Sequence, residues 1–564
     1  MGLRDRLNNI LLPVPADVAS SGLETESEYR ERWISIRVIY FTMFLMSLGF
    51  SIIITGVWPY LDKLDPTAGK EFMGYVVAAN PFAQMLFSPL VGWWGNKLGS
   101  IRLPLLLALT IFSVASGIYS SLELFSSYRK YWMLGARFLV GVSSANIAVC
   151  RSYLSAATKI SERTGAVSMV SLAQVLGFVI GPALQAAVVP LGDIGVWLVP
   201  NKLKLDMYTA AGWINVIMGV LNFCMFLPAV FKEHRIAAKE AMMLQGKVSE
   251  EDTWKANKPD YLSSWTLIVA FFVLVFNFML LETLGTSLTM DQFAWTKSEA
   301  LYHMGVLMSV GAFAACATFV GINPLCKYFP ERKVMLWGGF FFMVIGRALY
   351  IPWGNGPPVI YDDSIKTNIA LNKLHFEHLQ LNCDNSTQLA LDVPPSDNLT
   401  DSIKPCNDTL LELTYSESQN TTELVGCPSS QKWCHYTPVM TISQFILGYA
   451  MTVVGYPIGV TLIQTIFSKI LGPRPQGVWM GLMTGSGCLS RVLGPVFVSY
   501  IYTELGTIWT FGMTTVMMAL SMVWLFIVLD RLVPVEEQLA QNTSTELQEM
   551  NKLNDENHID DPEK

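Results

Sequence analysis

Long apolar runs separated by short polar punctuation dominate the chain from residue 34 to residue 533. At about 20 residues, a run is long enough to cross a hydrocarbon core as a helix. Twelve runs are read as spans, at 34–60, 71–95, 102–121, 130–156, 165–189, 208–231, 263–288, 299–322, 333–352, 436–467, 476–502 and 506–533. The polar stretches divide the chain into a tail (1–33), a six-helix bundle (34–231), a linker (232–262), a second bundle (263–352 and 436–533) interrupted by a hydrophilic insert (353–435), and a second tail (534–564). The first run, Ile36–Tyr60, is too long for a signal-peptide core and reads as a retained span.

One stretch occurs twice. Arg163 through Gly181-Pro182 in span 5 is echoed by Arg474 through Gly494-Pro495 in span 11. Each proline removes one N–H and deprives the carbonyl four residues earlier, at Phe178 and Arg491, of its helical partner. In lipid this is tolerated only where neighbouring helices or polar groups satisfy the freed carbonyl. Without the insert the two halves have similar lengths. The spacing therefore predicts an all-α membrane protein of two six-helix bundles, related by a pseudo-two-fold repeat, with a central site where they meet.

Composition agrees with the pattern. The 564 residues are 52% hydrophobic and 15% charged, against about 25% charged in soluble domains. The expected surroundings are a lipid bilayer. The net charge of −7 says little about partners. The absence of a long basic stripe argues against nucleic acid. Positive residues set the orientation: Arg4, Arg6, Arg30, Arg32 and Arg37 at span 1, Lys97 and Arg102 between spans 2 and 3, Lys159 and Arg163 between 4 and 5, Lys327, Arg332 and Lys333 between 8 and 9, and Lys469 and Arg474 between 10 and 11. Six more lysines and arginines lie in the 6–7 linker. Both termini and that linker are expected in the cytosol.

The insert adds a second topological signal. Asn385, Asn398, Asn407 and Asn420 each open a sequon, on the side that charge already places away from the cytosol. A glycosylated luminal loop is expected. Asn542 also opens a sequon, but in the cytosolic tail, where it should stay unmodified. The insert holds Cys383, Cys406, Cys427 and Cys434. Four cysteines allow three pairings, and loop length favours Cys383–Cys406 with Cys427–Cys434. The other five cysteines read as apolar packing. His375 and His378 read as metal-binding, acid-sensing or simply exposed.

The loop after span 2 reads Gly92-Trp-Trp-Gly-Asn96-Lys97-Leu-Gly99-Ser-Ile-Arg102. It resembles the loop signature of the major facilitator superfamily, with Asn96 where an Asp is usual. That exchange weakens any charge-pair latch at this place. Gly177-x-x-x-Gly181-Pro182 resembles that family's span-5 antiporter motif, but Gln185-Ala186 replaces its trailing glycines, so antiport does not follow. Further stretches resemble an endosomal and lysosomal branch of the superfamily, among them Trp58-Pro59-Tyr60-Leu61, Arg151-Ser152-Tyr153, Leu288-Thr289-Met290-Asp291 and Pro352-Trp353-Gly354-Asn355. The resemblance implies the twelve-helix superfamily fold, a multi-pass endolysosomal location and a chloride conductance. It also points to Ile10-Leu11-Leu12 as a dileucine sorting signal. Arg6 and Leu7 stand where an acid is expected, and the alternative is a weak interfacial helix.

Ionisable residues inside spans are costly and mark function by default. Arg137 and Arg151 in span 4 lie about 40° apart around a helix and roughly 21 Å along it, so both are expected to face one polar path. The alternatives are a structural Arg137 and an Arg151 that snorkels to the interface. Glu282 in span 7 and Arg491 in span 11 lie at similar depths and are read either as a clamp or as a titratable anion site. Arg347 reads as snorkelling. Asn146 and Gln174 line the cavity or bond between helices. Gly455-Tyr-Pro457-Ile-Gly459 predicts either a broken helix whose freed N–H groups bind an anion or a kink. No hydrolase, zincin or phosphate-loop motif occurs, so neither an enzyme nor a cofactor is expected. Three functions remain: permeation of chloride or another small anion, proton-coupled carriage of a small organic solute, and a non-transporting partner that engages luminal or membrane proteins.

Overall fold

The computed structural model describes residues 22–54, 56–65, 68–125, 127–192, 195–199, 203–247, 249–251, 259–361 and 425–533. The four insert sequons, Cys383, Cys406, His375, His378, Asn542 and Ile10-Leu11-Leu12 lie outside the described residues.

Spans 1–6 are helices Glu26–Ile54, Gly69–Leu98, Arg102–Ser120, Arg129–Ser144 continuing as Asn146–Ala156, Ile160–Val188 and Thr209–Met225. Spans 7–12 are Tyr261–Phe293, Lys297–Tyr328, the segment 331–349, Ile442–Leu471, Gly477–Leu505 and Thr507–Val528. Among the described residues, eight helices are long and apolar enough to cross a membrane by length and composition. The remaining four are spans 2, 6, 9 and 11. A helix over Ile236–Gln245 lies between the halves in sequence. Each half has two buried apolar clusters. One, around Phe112 and Phe231 in the first half and Phe340 and Phe467 in the second, lies toward the end that carries the termini. The other, around Tyr60 and Tyr119 and around Tyr350 and Trp433, lies toward the opposite end.

Local chemistry sets several helix ends. Asp260 accepts hydrogen bonds from the Leu262 and Ser263 N–H groups and starts span 7. Thr296 with Glu299, and Thr441 with Gln444, form reciprocal caps at the starts of spans 8 and 10. Two spans depart from expectation. Span 1 stops at Ile54, and Val57–Leu64, with Pro59 in its first turn, is a separate short helix. Span 4 divides at Ala145.

The freed carbonyl in span 5 finds the required partner: Ser51 Oγ of span 1 donates to Phe178 O at 2.9 Å. Gly177 and Gly181 permit that approach, because a Cβ at either would strike span 1. Of the two readings of span 10, a broken helix or a kink, the break does not occur. Ile442–Leu471 is one continuous helix through Pro457. Its glycines serve a close crossing instead. A Cβ on Gly455 would lie 2.9 Å from Gly339 O, and one on Gly339 would lie 2.9 Å from the Gly459 Cα. No freed N–H cluster is available there for an anion.

At the end away from the termini, Lys63 lies 2.7 Å from Glu123 and 2.9 Å from the fully buried Asp206. Asp206 also caps span 6, accepting from the Tyr208 and Thr209 N–H groups at 2.9 and 2.7 Å. Burial alone would raise the Asp206 carboxyl, but the Thr209 and Lys63 donors overcome it and hold the group below its ordinary value. A carboxyl lowered in the folded state stabilises above its unfolded pKa and loses that contribution only as pH falls through the folded value. The pin therefore persists between about pH 4 and 7. Lys63→Ala should lower the melting temperature throughout that window. Thermal melts from pH 7 down to 4.5 check this; a variant as stable as wild type would contradict it.

Cys427 is joined to Cys434 by a disulfide, with Cα atoms 6.1 Å apart, beside the short parallel pairing of Ile360–Tyr361 with Cys427–Pro428. Mass spectrometry of unreduced protein from native membranes should recover this link, and free thiols at both positions would contradict it.

Candidate functional site

The two halves meet tightly at the end that carries the termini. Gly92 of span 2 and Gly477 at the start of span 11 lie backbone to backbone, and a Cβ on either would fall inside the other's carbonyl. Asn96 Oδ1 accepts from the Gly477 N–H at 2.9 Å, and its amide donates to Pro475 O at 3.4 Å. The Asn that stands in the place of an Asp thus latches the halves by hydrogen bonds to a helix start. The rest of the loop motif supports it. Gly99 caps span 2 with φ +64°, Lys97 lies 5.2 Å over the Trp93 ring, and Arg102 donates to Phe231 O at 2.7 Å.

A second closure joins spans 4 and 5 to the end of span 10. Arg163 donates to Ser468 O at 3.3 Å and to Ser155 O at 2.9 Å, and Ser468 bonds Ser155 at 2.7 Å. Lys469 and Glu331 form an ion pair at 2.8 Å, and Thr164 of the first half hydrogen-bonds to both. Gly165 packs against Asn323 of span 8, and Gly481 against Pro89. All these contacts lie in the terminus-bearing part of the bundle.

Beyond them, at mid-span, charged groups from both halves converge. Arg151 is half-buried and donates to Gln174 Oε1 of span 5 at 3.2 Å. From the second half, Arg491 acts electrostatically on Arg151, on Glu282 and on Tyr456. Arg491 and Glu282 are solvent-exposed at mid-span, with protein packed around Glu282. They therefore face a cavity between the halves. Tyr456 stacks on Phe278, with ring centroids 3.9 Å apart, and forms its aromatic wall. Cys488, three residues before Arg491, is buried beside both arginines.

This arrangement changes several expectations. Glu282 and Arg491 feel each other but make no ion pair within 4.0 Å, so the closed clamp is not what forms. Arg151 does not snorkel; it faces the cavity, held by Gln174. Arg137 does not share its path. It is buried within the first half, 5.3 Å over the Phe50 ring, and its guanidinium nitrogens have no hydrogen-bond partner among the described residues. Span 4 carries a one-residue turn at Ala145, between the two, with helical dihedrals. Asn146, directly after that turn, is fully buried with both side-chain polar atoms unpartnered among the described residues. Arg347 does not reach the interface either: it is fully buried. Phe278 had no sequence signal beyond being an aromatic residue in a span, and Tyr456 stood out only as part of the Gly455–Gly459 stretch. Gly494-Pro495 lies within the continuous span 11, two turns and less beyond Cys488 and Arg491.

Net charge describes what the cavity can do. Among the described residues brought together here, two guanidiniums face one carboxylate, which gives these three groups +1 with Glu282 ionised and +2 with it protonated. An arginine fork is suited to carboxylate, phosphate and other anions, and it stays charged on desolvation.

The family model for the Major Facilitator Superfamily matches residues 39–361 and 430–553. Major facilitator superfamily domain-containing protein 8 of Xenopus laevis is 39% identical over 516 residues, covering 91% of this chain and 94% of the relative. Among solved structures, the proton:xylose symporter XylE bound to 6-bromo-6-deoxy-D-glucose superposes with a TM-score of 0.59 at 12% identity, covering 92% of this chain and all of that one. The human organic anion transporter MFSD10 superposes with a TM-score of 0.55 at 14% identity, covering 88% of this chain and 99% of that one.

Proposed function

The chain belongs to the major facilitator superfamily, and we propose that it carries a small anion, chloride or a small organic anion, through the cavity between its halves. The carrying observation is that Arg151 and Arg491 come from opposite halves and lie within electrostatic reach of each other, with Glu282 of the second half the carboxylate that Arg491 also reaches. Residues on two bodies that move against each other are placed to hold a cargo through alternating access. The tight packing of Gly92 on Gly477 at one end supports a carrier cycle rather than a permanently open pore.

Glu282 supplies a proton-coupled version of the same reading. It lies within electrostatic reach of Arg491 without an ion pair, so its charge competes with the cargo for that guanidinium. Protonation removes the competitor and adds one positive charge to the site. The resemblance to the endolysosomal branch supports a location in endosomal and lysosomal membranes. The charge bias supports cytosolic termini, with the insert and Asn385, Asn398, Asn407 and Asn420 in the lumen. We assign no catalytic activity and no cofactor.

Two experiments test this reading. Uptake into liposomes containing the purified protein should be seen for anions and not for potassium or a neutral sugar; a preference for either of the latter contradicts the cargo class. Endoglycosidase treatment should shift the mobility of the wild type but not of a protein with Asn→Gln at 385, 398, 407 and 420. A remaining shift traceable to Asn542 would overturn the orientation.

A further inference from the structure

At the terminus-bearing end, one of the closures between the halves is built on the turn that joins spans 4 and 5. Arg163 reaches back to Ser155 O at 2.9 Å and Thr158 O at 3.4 Å, and reaches across to Ser468 O of the second half at 3.3 Å. Thr164, the next residue, hydrogen-bonds to Lys469 and Glu331. The aim of the Arg163 fork is therefore set by where the carbonyls of this turn sit.

A second arginine grips the same turn from within the first half. Arg32 of span 1 is fully buried. It donates to Ala157 O at 3.0 Å and to the Glu162 carboxylate at 2.8 and 3.3 Å. Through Nε and Nη2 it also forks onto the two carboxylate oxygens of Glu24, each at 2.8 Å. These bonds use every N–H donor of the guanidinium. Glu24 precedes span 1, is itself buried, and has Lys159 of the turn 3.3 Å from its Oε1. The Tyr29 and Trp33 rings flank the guanidinium at 5.3 and 5.6 Å. The charges balance within this group: Arg32 and Lys159 against Glu24 and Glu162. Without Glu24 the guanidinium keeps only acceptors on the turn and in the first turn of span 5. It then loses the bidentate contact that fixes its angle, and one buried charge is left uncompensated.

We infer that Glu24 and Arg32 are positioning residues of this closure: they set the turn from which Arg163 and Thr164 reach the second half, so the segment ahead of span 1 biases whether this end is shut. The inference rests on the carrier reading, in which this end opens and closes. Both residues bond only within the first half in the network described, so their effect on the second half passes through the turn. A pair that served the fold alone would change stability and leave the balance between shut and open unmoved.

The test uses purified full-length protein carrying Asn323→Cys, which packs under Gly165 at this end. An impermeant maleimide is applied from the terminus-bearing side. Labelling of the peptide that contains residue 323 is followed by mass spectrometry, with the melting temperature measured in parallel. Gly477→Val, whose Cβ forces spans 2 and 11 apart, supplies the opened reference. Glu24→Gln and Arg32→Lys should each label about tenfold faster than their parent, as expected when a charge-assisted hydrogen bond is lost from the shut state. Glu24→Asp keeps the charge and should restore most of the protection. Parent-like labelling in Glu24→Gln and Arg32→Lys, with Gly477→Val labelled fast, would overturn the inference and leave the carrier reading standing, whatever the melting temperatures do. Protection in Gly477→Val as well would overturn both. Where Glu24→Gln alone does not fold, Glu24→Gln/Lys159→Gln keeps the group neutral and decides in the same way. Failure of every variant to fold would make the network a determinant of the fold and overturn its role at the closure.

Discussion

Gly477→Val abolishes transport and leaves a folded protein that can no longer close at the terminus-bearing end. The reason is steric. A Cβ on Gly477 would fall on the Gly92 carbonyl and on Asn96 Oδ1, and the reverse substitution meets the Gly477 carbonyl. Backbone cannot rotate away as a long side chain can, so spans 2 and 11 must separate. Separation also breaks the bond from the Gly477 N–H to Asn96. The cost falls on one conformation, because in a carrier cycle the opposite conformation parts these helices anyway. Folding and melting temperature should therefore change little while flux disappears. A cysteine introduced as Asn323→Cys, packed under Gly165 in the closed end, should react with an impermeant maleimide from the terminus-bearing side in the Gly477→Val background and be protected without it. Wild-type flux in Gly477→Val would show that this closure is not part of the cycle.

Arg491→Ala and Arg151→Ala each weaken anion transport by about ten- to a hundredfold, the loss expected when a charge-assisted hydrogen bond worth roughly 1.5–3 kcal/mol is removed. The two losses should be distinguishable from general damage. Arg151 is held by Gln174 at 3.2 Å, so Gln174→Ala should show a milder version of the Arg151 defect, raising the anion concentration needed for half-maximal flux. Arg491 lies on the other half and acts on Glu282. Its removal should also blunt the response to pH, because the carboxylate then has no guanidinium to occupy. Equal, pH-independent loss in all three variants would point to a folding defect instead.

The fold was legible in the sequence because its signals are long and redundant. Twelve apolar runs, the repeated Gly-Pro stretch and the positive loops agree, and no single residue carries the reading. The satisfied carbonyl at Phe178 follows the same logic: Pro182 required a partner, and Ser51 of span 1 supplies it. The site was legible only in part. Glu282, Arg491, Arg151 and Gln174 stood out as polar groups in spans, and the structure bonds Arg151 to Gln174 and puts Arg491 within electrostatic reach of Arg151 and Glu282. Arg137 stood out equally and belongs elsewhere: its side chain is sealed within the first half over the Phe50 ring, which its spacing from Arg151 could not reveal. Arg347 was passed over because its place near a span end suggested snorkelling, and only packing from spans 10 and 12 shows it to be sealed in. The glycines flanking Pro457 were ambiguous for a related reason. A glycine that opens a helix and one that admits a neighbouring backbone look alike in sequence, and the neighbour, Gly339, lies more than a hundred residues away.

The central claim is that an anion binds between Arg151 and Arg491 and that Glu282 competes with it. The most direct test is chloride flux in liposomes containing the oriented protein, with the pH on the insert side varied, for wild type, Glu282→Gln and Arg491→Ala. Wild-type flux should rise as that side is acidified. Glu282→Gln should already run at the acid rate near neutral pH and lose most of its pH response, and Arg491→Ala should be slow at every pH. Wild-type flux and an unaltered pH profile in both variants would contradict the account.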